Sequence, residues 1–307
     1  MLLIAAQGAM AQNTIDLFTV SGRYGIHQPY NPPPANYVGE DLTKHKAQES
    51  ALFINLKAPI KFNDKTIWFN NLTYTYSHVN NGLSLPDFMA TNVGLNAFIF
   101  QTGIIQRLSK NNALQLLYVP RYMTDFLGKN GNEWQHGAIA MFEHRWNPNF
   151  MMRFGVMYNQ EKSGPLLVPL FDINWQINNR WSVAGLFPIY LKINYKVSER
   201  FTAGLSHFGL ITSYELHGEG YAGDYMERTS IDLCLFGRYN VAGNWYLEGR
   251  LGYALGRNYE QYQSDQQIDM RISIIKIGDN RGEPVNVTFQ DGPIAELRLV
   301  YSIPIPQ

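Results

Sequence analysis

The chain has 307 residues, 25 basic against 25 acidic, so its formal net charge is zero. That length buries a core unaided, and the neutral balance gives no reason to expect nucleic acid as a partner. Charged residues are 16% of the chain, below the roughly 25% of an ordinary soluble domain, while aromatics reach 14%.

At the N-terminus, MLLIAAQGAMAQN carries a short apolar run, Leu2 to Ala6, and then Ala9-Met10-Ala11, the A-x-A form of a signal-peptidase site. Residues 1–11 read as a signal peptide without its charged start, and residues 12–307 as a single domain. No stretch of about 18 apolar residues follows, so no transmembrane helix is expected. Cys234, the one cysteine, lies in the strand-like run IDLCLFGRY and leaves no disulfide framework and no cysteine-based zinc site.

Along the rest of the chain β-type segments recur. Short turns of Asn, Asp, Gly and Ser fall at 63–65, 109–112, 147–149, 178–180, 198–200 and 242–244. Longer connections near 25–46, 80–92, 127–133, 160–165, 215–225 and 257–290 alternate with them, apart from a tight break at Pro188. The strands between lie near 14–24, 47–61, 66–79, 93–108, 113–126, 134–146, 150–159, 166–177, 180–187, 189–197, 201–214, 226–241, 244–256 and 291–303. That makes about fourteen, with both ends on the short-turn side; if the short pair 180–187 and 189–197 does not span, twelve remain. Pro120 and Pro169 inside strands require bulges, because each lacks an N–H for the ladder. The run QIDMRISIIKIG with VNVTF, in 266–290, reads as a hairpin standing beyond the membrane. The pattern predicts an all-β fold: a closed antiparallel transmembrane β-barrel with short periplasmic turns and longer extracellular loops.

Two features separate a membrane barrel from a soluble sandwich. Trp68, Trp146, Trp175, Trp181 and Trp245 all lie near short turns, and only Trp134 sits at the other end of its strand. Amphipathic rings collect at the headgroup level, so such a belt marks a membrane interface. The second feature is one charge-free face per strand. Ile189, Leu191, Ile193 and Val197 alternate with Lys192, Asn194 and Lys196, and Phe171, Ile173, Trp175 and Ile177 with Asp172, Asn174 and Gln176. Ile231, Leu233, Leu235 and Tyr239 oppose Asp232 and Arg238; Leu247, Leu251 and Tyr253 oppose Glu248 and Arg250; Leu297, Leu299 and Tyr301 oppose Glu296 and Arg298. A charge at the bilayer midplane costs roughly 2–4 kcal/mol, so the apolar sets face lipid and the polar sets the lumen. Glu143, Arg145 and Arg153 extend the lumenal set.

The segment VPLFDINWQINNRWSVAGLFPIYLKINYKVSERFTAGL resembles the uncharacterised outer-membrane β-barrel family common in Bacteroidetes. Trp181, the Leu186-Phe187-Pro188 break, Tyr195 and the serine turn at Ser198 carry the resemblance. It implies the barrel fold and a place in the bacterial outer membrane. The family is a domain of unknown function, so the resemblance lends no catalytic residues.

Mixed charges on neighbouring strands suit cross-strand ion pairs, as a bracing network or as the lining of a selective conduit. The expected function is non-enzymatic: a narrow or occluded channel or transporter for small molecules, with outer-membrane lipid and, during insertion, the barrel-assembly machinery as partners. The alternative is a structural barrel that binds a protein or glycan through loops such as 25–46 and 257–265. A membrane-embedded hydrolase has His207 and Ser213 as its only footing, since no H-E-x-x-H, G-x-S-x-G or P-loop occurs. His217 with Glu215, Glu219 and Asp224 reads as a solvated loop ahead of a weak metal site. No cofactor and no metal are expected.

Overall fold

The computed structural model describes residues 14–33, 37, 39–80, 83, 85–90 and 92–304, so the signal-peptide reading of residues 1–11 lies outside the described residues. The first strands are β1 (Thr14–Gly25), β2 (Gln48–Lys57), β3 (Ile60–Lys61), β4 (Thr66–Asn80), β5 (Gly94–Arg107) and β6 (Asn112–Thr124). Then come β7 (Trp134–Asn147), β8 (Phe150–Glu161), β9 (Gly164–Gln176), β10 (Trp181–Phe187), β11 (Tyr190–Lys196) and β12 (Phe201–Glu215). The last are β13 (Tyr225–Ala242), β14 (Trp245–Tyr262), β15 (Ile268–Ile272), β16 (Ile275–Asp279) and β17 (Gly292–Pro304). β3 prolongs β2 along β4, and β15 and β16 form a separate hairpin. The other fourteen strands pair antiparallel in chain order, and β17 closes the ring between β14 and β1. The short β10–β11 pair belongs to the wall, so the count is fourteen, not twelve.

One device repeats at the short-turn end. Asn63 Oδ1 accepts from the N–H of Lys65 and Thr66, Ser109 Oγ from Asn111 and Asn112, Asn178 Oδ1 from Arg180 and Trp181, and Ser198 Oγ from Arg200 and Phe201. Each side-chain oxygen closes its turn locally, which is why Asn and Ser stand at these positions. Asn147 Oδ1 likewise accepts from the N–H of Asn149, and in the sixth turn Gly243 takes a φ of +52°, a conformation that favours glycine.

Strand parity sorts the side chains. Between the strand ends, the outward positions of the wall strands carry no Asp, Glu, Lys or Arg among the described residues. Leu235 and Leu251 are the extremes of the outward set, 66% and 68% exposed. Trp68, Trp146, Trp175, Trp181 and Trp245 point outward and are exposed at the short-turn end, where Trp146 stacks on Phe150 and Trp245 meets Tyr301. A second belt rings the long-loop end, with Tyr118 beside His136 and Tyr122 against Trp134. Two aromatic belts with a charge-free band between them match a bilayer's two interfaces.

Several details differ from the sequence reading. Pro120 pairs with His136 and Pro169 with Val156 without a register shift, so neither needs a bulge. The shifts fall elsewhere, at Asp16/Phe18, Arg145/Asn147, Thr229/Ile231 and Asn240/Ala242. The 160–165 connection is a tight turn through Lys162 and Ser163, and residues 257–262 extend β14 instead of forming a loop. The 266–290 hairpin turns inside its first run, at Ser273-Ile274, while VNVTF contributes only an isolated bridge from Phe289 to Tyr30. Ile189 packs on an interior apolar cluster rather than facing lipid.

A charge on the lipid face tests the orientation of the wall. Leu251→Arg should lower the stability of the folded barrel in vesicles by roughly 2–4 kcal/mol in urea titrations, whereas a change under about 0.5 kcal/mol would place that face in water.

Candidate functional site

The lumen has two layers. In the short-turn half, charged side chains from nine strands converge. Glu248 accepts from Lys192 Nζ at 2.7 Å and lies 2.8 Å from Arg250, with Arg298 at 3.8 Å and Arg238 at 3.9 Å. Arg250 reaches Glu296 at 3.4 Å, and Arg238 donates to Asp16 at 2.8 Å. Opposite them Arg153 bridges Glu143 at 2.9 Å and Asp172 at 2.8 Å, while Arg145 approaches Glu143 at 3.7 Å. Lys57 also points inward and makes no ion pair among the described residues. The layer therefore holds Lys57, Arg145, Arg153, Lys192, Arg238, Arg250 and Arg298 against Asp16, Glu143, Asp172, Glu248 and Glu296, an excess of positive charge.

Asn174 and Asn194 share this lumenal face, and Asn194 Nδ2 donates to Ser182 Oγ at 3.3 Å. Lys196 lies at the mouth, paired with the turn residue Glu199. Asp232 sits higher, bound by Arg23. That pair belongs to a second group around Glu49, whose carboxylate has no exposed surface. Arg228 reaches it at 2.7 Å, Arg23 at 3.2 Å, Arg257 at 3.3 Å, and the Tyr259 hydroxyl donates at 2.6 Å. One buried carboxylate thus neutralises cations from β1, β13 and β14.

The long-loop half is closed by the wall itself. Along β12, Leu205 is exposed to lipid, yet Ser213 and Glu215, of the same parity, are buried. Above Gly209 the β12–β13 hairpin leans into the lumen. Its odd-numbered face meets the inner wall of β6–β8: Ser213 N–H and Oγ both donate to Glu161 Oε2, at 2.9 and 2.8 Å, and Ser213 O accepts from Gln135 at 2.9 Å. Lys162 N–H donates to Ser213 Oγ, Glu161 also binds Arg121, and Asp125 N–H donates to Glu215 O. Its even-numbered face, with Tyr214 and Met226, packs on Val79, Leu95, Ala97, Met123, Val287 and Phe289. A second apolar cluster, Leu117, Val119, Ile139, Met141, Leu166, Val168 and Leu170, fills the space beneath, with Ile211 against it.

Two sequence expectations are corrected by this arrangement. His207 faces outward beside Phe187 and bonds Pro188 O at 2.7 Å, whereas Ser213 is buried against Glu161, so the two form no catalytic pair. His217 is not solvated. It is buried between Asp125, at 3.1 Å from Nδ1, and Glu133, at 3.0 Å from Nε2, while Glu215 pairs with Lys162 and Asp224 with Gln261. Burial raises the Glu133 pKa, but N–H donors at its own residue and Asn130, together with His217, more than offset this and hold it below the ordinary carboxylate value. Among the described residues no group of His, Cys, Asp and Glu is arranged to hold a metal ion.

Sequence reasoning missed Asp16, Arg23, Glu49, Lys57 and Arg257. Glu49, Asn55 and Lys57 alternate with Leu52, Ile54 and Leu56, so parity alone could have found that set. Asp16 and Arg257 were hidden by register shifts, the latter beside Gly256 with its φ of +56°.

The fold and its lumen define a closed, fourteen-stranded membrane-type β-barrel with its long-loop half occluded. Residues 7–268 match the family described as Domain of unknown function (DUF6268), and the chain belongs to that family. No curated protein matches the sequence. Solved structures to which the chain is similar include the COG4313 outer membrane channel from Pseudomonas putida F1, at 11% identity over 94% of this chain and 96% of that one, TM-score 0.45. The translocator domain of autotransporter NalP from Neisseria meningitidis follows at 10% identity, covering 94% and 88%, TM-score 0.35. The TodX monoaromatic hydrocarbon channel deltaS2 mutant shares 9% identity over 94% and 89%, TM-score 0.37.

The Glu49 group carries its own test. Glu49→Gln leaves Arg23, Arg228 and Arg257 without their shared counter-charge, and should cost about 3–5 kcal/mol of barrel stability, read as a lowered urea midpoint. An unchanged midpoint would mean that water, not Glu49, solvates these guanidinium groups.

Proposed function

We propose that the chain is a non-enzymatic outer-membrane barrel acting as a small-molecule conduit, closed at its extracellular end by its own β12–β13 hairpin. The observation that carries this reading is the seam between the hairpin and β6–β8. Above the apolar packing of Ile211 it is built of hydrogen bonds and an ion pair: Ser213 with Glu161 and Gln135, and Glu215 with Lys162. Water can replace these polar partners when the hairpin swings away, so the seam parts at lower cost than an apolar interface of the same size, and the packing of Tyr214 and Met226 on the other face sets the main cost of opening. The charged layer below would then line the open path. Its excess of basic side chains favours anions over cations.

Planar-bilayer conductance tests the reading, with heat-modifiable migration on gels as the control for folding. The wild-type barrel should be mostly closed, and S213A/Q135A, which removes seam bonds without stranding a charge, should show more frequent stepwise openings. In that background Lys57→Glu should shift the reversal potential toward cations. Folded variants that stay silent would contradict the conduit.

A further inference from the structure

The wall is incomplete in one place. β10 and β11 have seven residues each, and their hairpin stops where Phe187 pairs with Phe171 of β9. β9 runs on to Gly164. Higher on its free edge β15 docks parallel, with Arg271 opposite Leu166 and Ile272 opposite Leu167, and Ser273 N–H donates to Leu167 O at 2.8 Å. Between Leu167 and Phe171 that edge has no strand beside it among the described residues, a span of about 13 Å at ~3.3 Å per residue. On the far side, β12 leaves the wall above Gly209, whose N–H donates to Ile189 O.

The sequence suits an open edge here. Leu167 turns its carbonyl to this edge, where it accepts from Ser273, so Pro169, two residues on and paired with Val156 of β8, turns its ring nitrogen the same way. The edge therefore lacks, at its midpoint, the donor that lipid would leave unsatisfied. Depth follows from register. Leu167 pairs with Tyr158, level with the long-loop aromatic belt, and Phe171 pairs with Phe154 in the apolar band. The gap thus opens onto the hydrocarbon of the leaflet on the long-loop side.

Its lining is apolar and then abruptly charged. Val168, Leu170, Leu186, Ile189 and Ile211 belong to the interior cluster behind the gap. Ile274 and Ile275, 71% and 63% exposed, form the tip of the β15–β16 hairpin above it. The next inward residue down β9 after Leu170 is Asp172, bonded to Arg153 at the top of the basic-rich layer.

We propose that this gap is a lateral portal for a single-chain amphiphile with an anionic headgroup, its tail in the apolar layer and its head among the basic side chains below. The proposal rests on the conduit reading and names its substrate class. The probe is a fatty acid carrying a photoreactive group near its tail, irradiated with the barrel in lipid vesicles, with cross-links mapped by mass spectrometry. Labels should concentrate on the peptides of Leu170, Phe187, Ile189 and Ile275, several-fold above those of Leu235 and Leu251. Leu170→Trp should abolish most of that excess, with Val168→Trp as the second variant if the first does not fold. Excess unlabelled fatty acid should compete better than the fatty alcohol of equal length. Even labelling around the wall, or no loss in either folded Trp variant, would overturn the portal, and equal competition by the alcohol would overturn the anionic headgroup. Labelling does not need ion flow, so a labelled portal in a barrel silent in bilayers would count against the conduit alone.

Discussion

A strand in hydrocarbon has no water to satisfy its backbone, so nearly every N–H and C=O on the wall must find a partner within the sheet. The rest of the structure depends on that requirement. It forces the fourteen strands into a ring, and the ring forces a strict alternation of lipid-facing and lumen-facing side chains. The lumen then receives nearly all the charge the wall strands carry, which is why Glu248 and Glu49 each gather several cations. These carboxylates are consequences of closure. A buried charge that parity drives inward must be neutralised there, or the barrel would not be stable.

The β10–β11 hairpin breaks the regularity, and three features follow from its shortness. β12 loses its neighbour β11 above Gly209, and the β12–β13 hairpin turns into the lumen, where one face finds apolar partners and the other a polar seam. β15 takes up part of the free edge of β9 that is left behind. Pro169 occupies the stretch that remains uncovered. Occlusion of the lumen and the opening in the wall thus have one geometric origin. A longer β10–β11 pair would hold β12 in the wall and remove both.

Much of this was legible in the sequence, because the property that makes a membrane barrel is a period of two. Ile193 against Lys192 and Asn194, or Leu297 and Leu299 against Glu296 and Arg298, needs no tertiary information to read. The belt was legible for the same reason, since each Trp stands beside an Asn, Ser or Gly turn. What escaped were departures from the period. The shift at Asp16/Phe18 turns Asp16 inward, and the one at Thr229/Ile231 lies opposite the stretch where Arg257 does the same. Ile211 and Ser213 carry the parity of lipid-facing residues, and only the tertiary path of β12 shows that they are inside. His217 looked like a loop histidine because Asp125 and Glu133, which enclose it, are distant in sequence.

Closure of the lumen depends on the inward path of the β12–β13 hairpin, and thiol accessibility tests that path most directly. In a Cys234→Ala background, Ser213→Cys and Leu233→Cys place one thiol in the seam and one on the lipid face. With β12 on this path, Leu233→Cys should react with a lipid-dissolved maleimide, whereas Ser213→Cys should stay protected from that reagent and from a water-soluble one added outside. Rapid reaction of Ser213→Cys with the lipid-dissolved reagent would put β12 back in the wall and contradict the closure of the lumen.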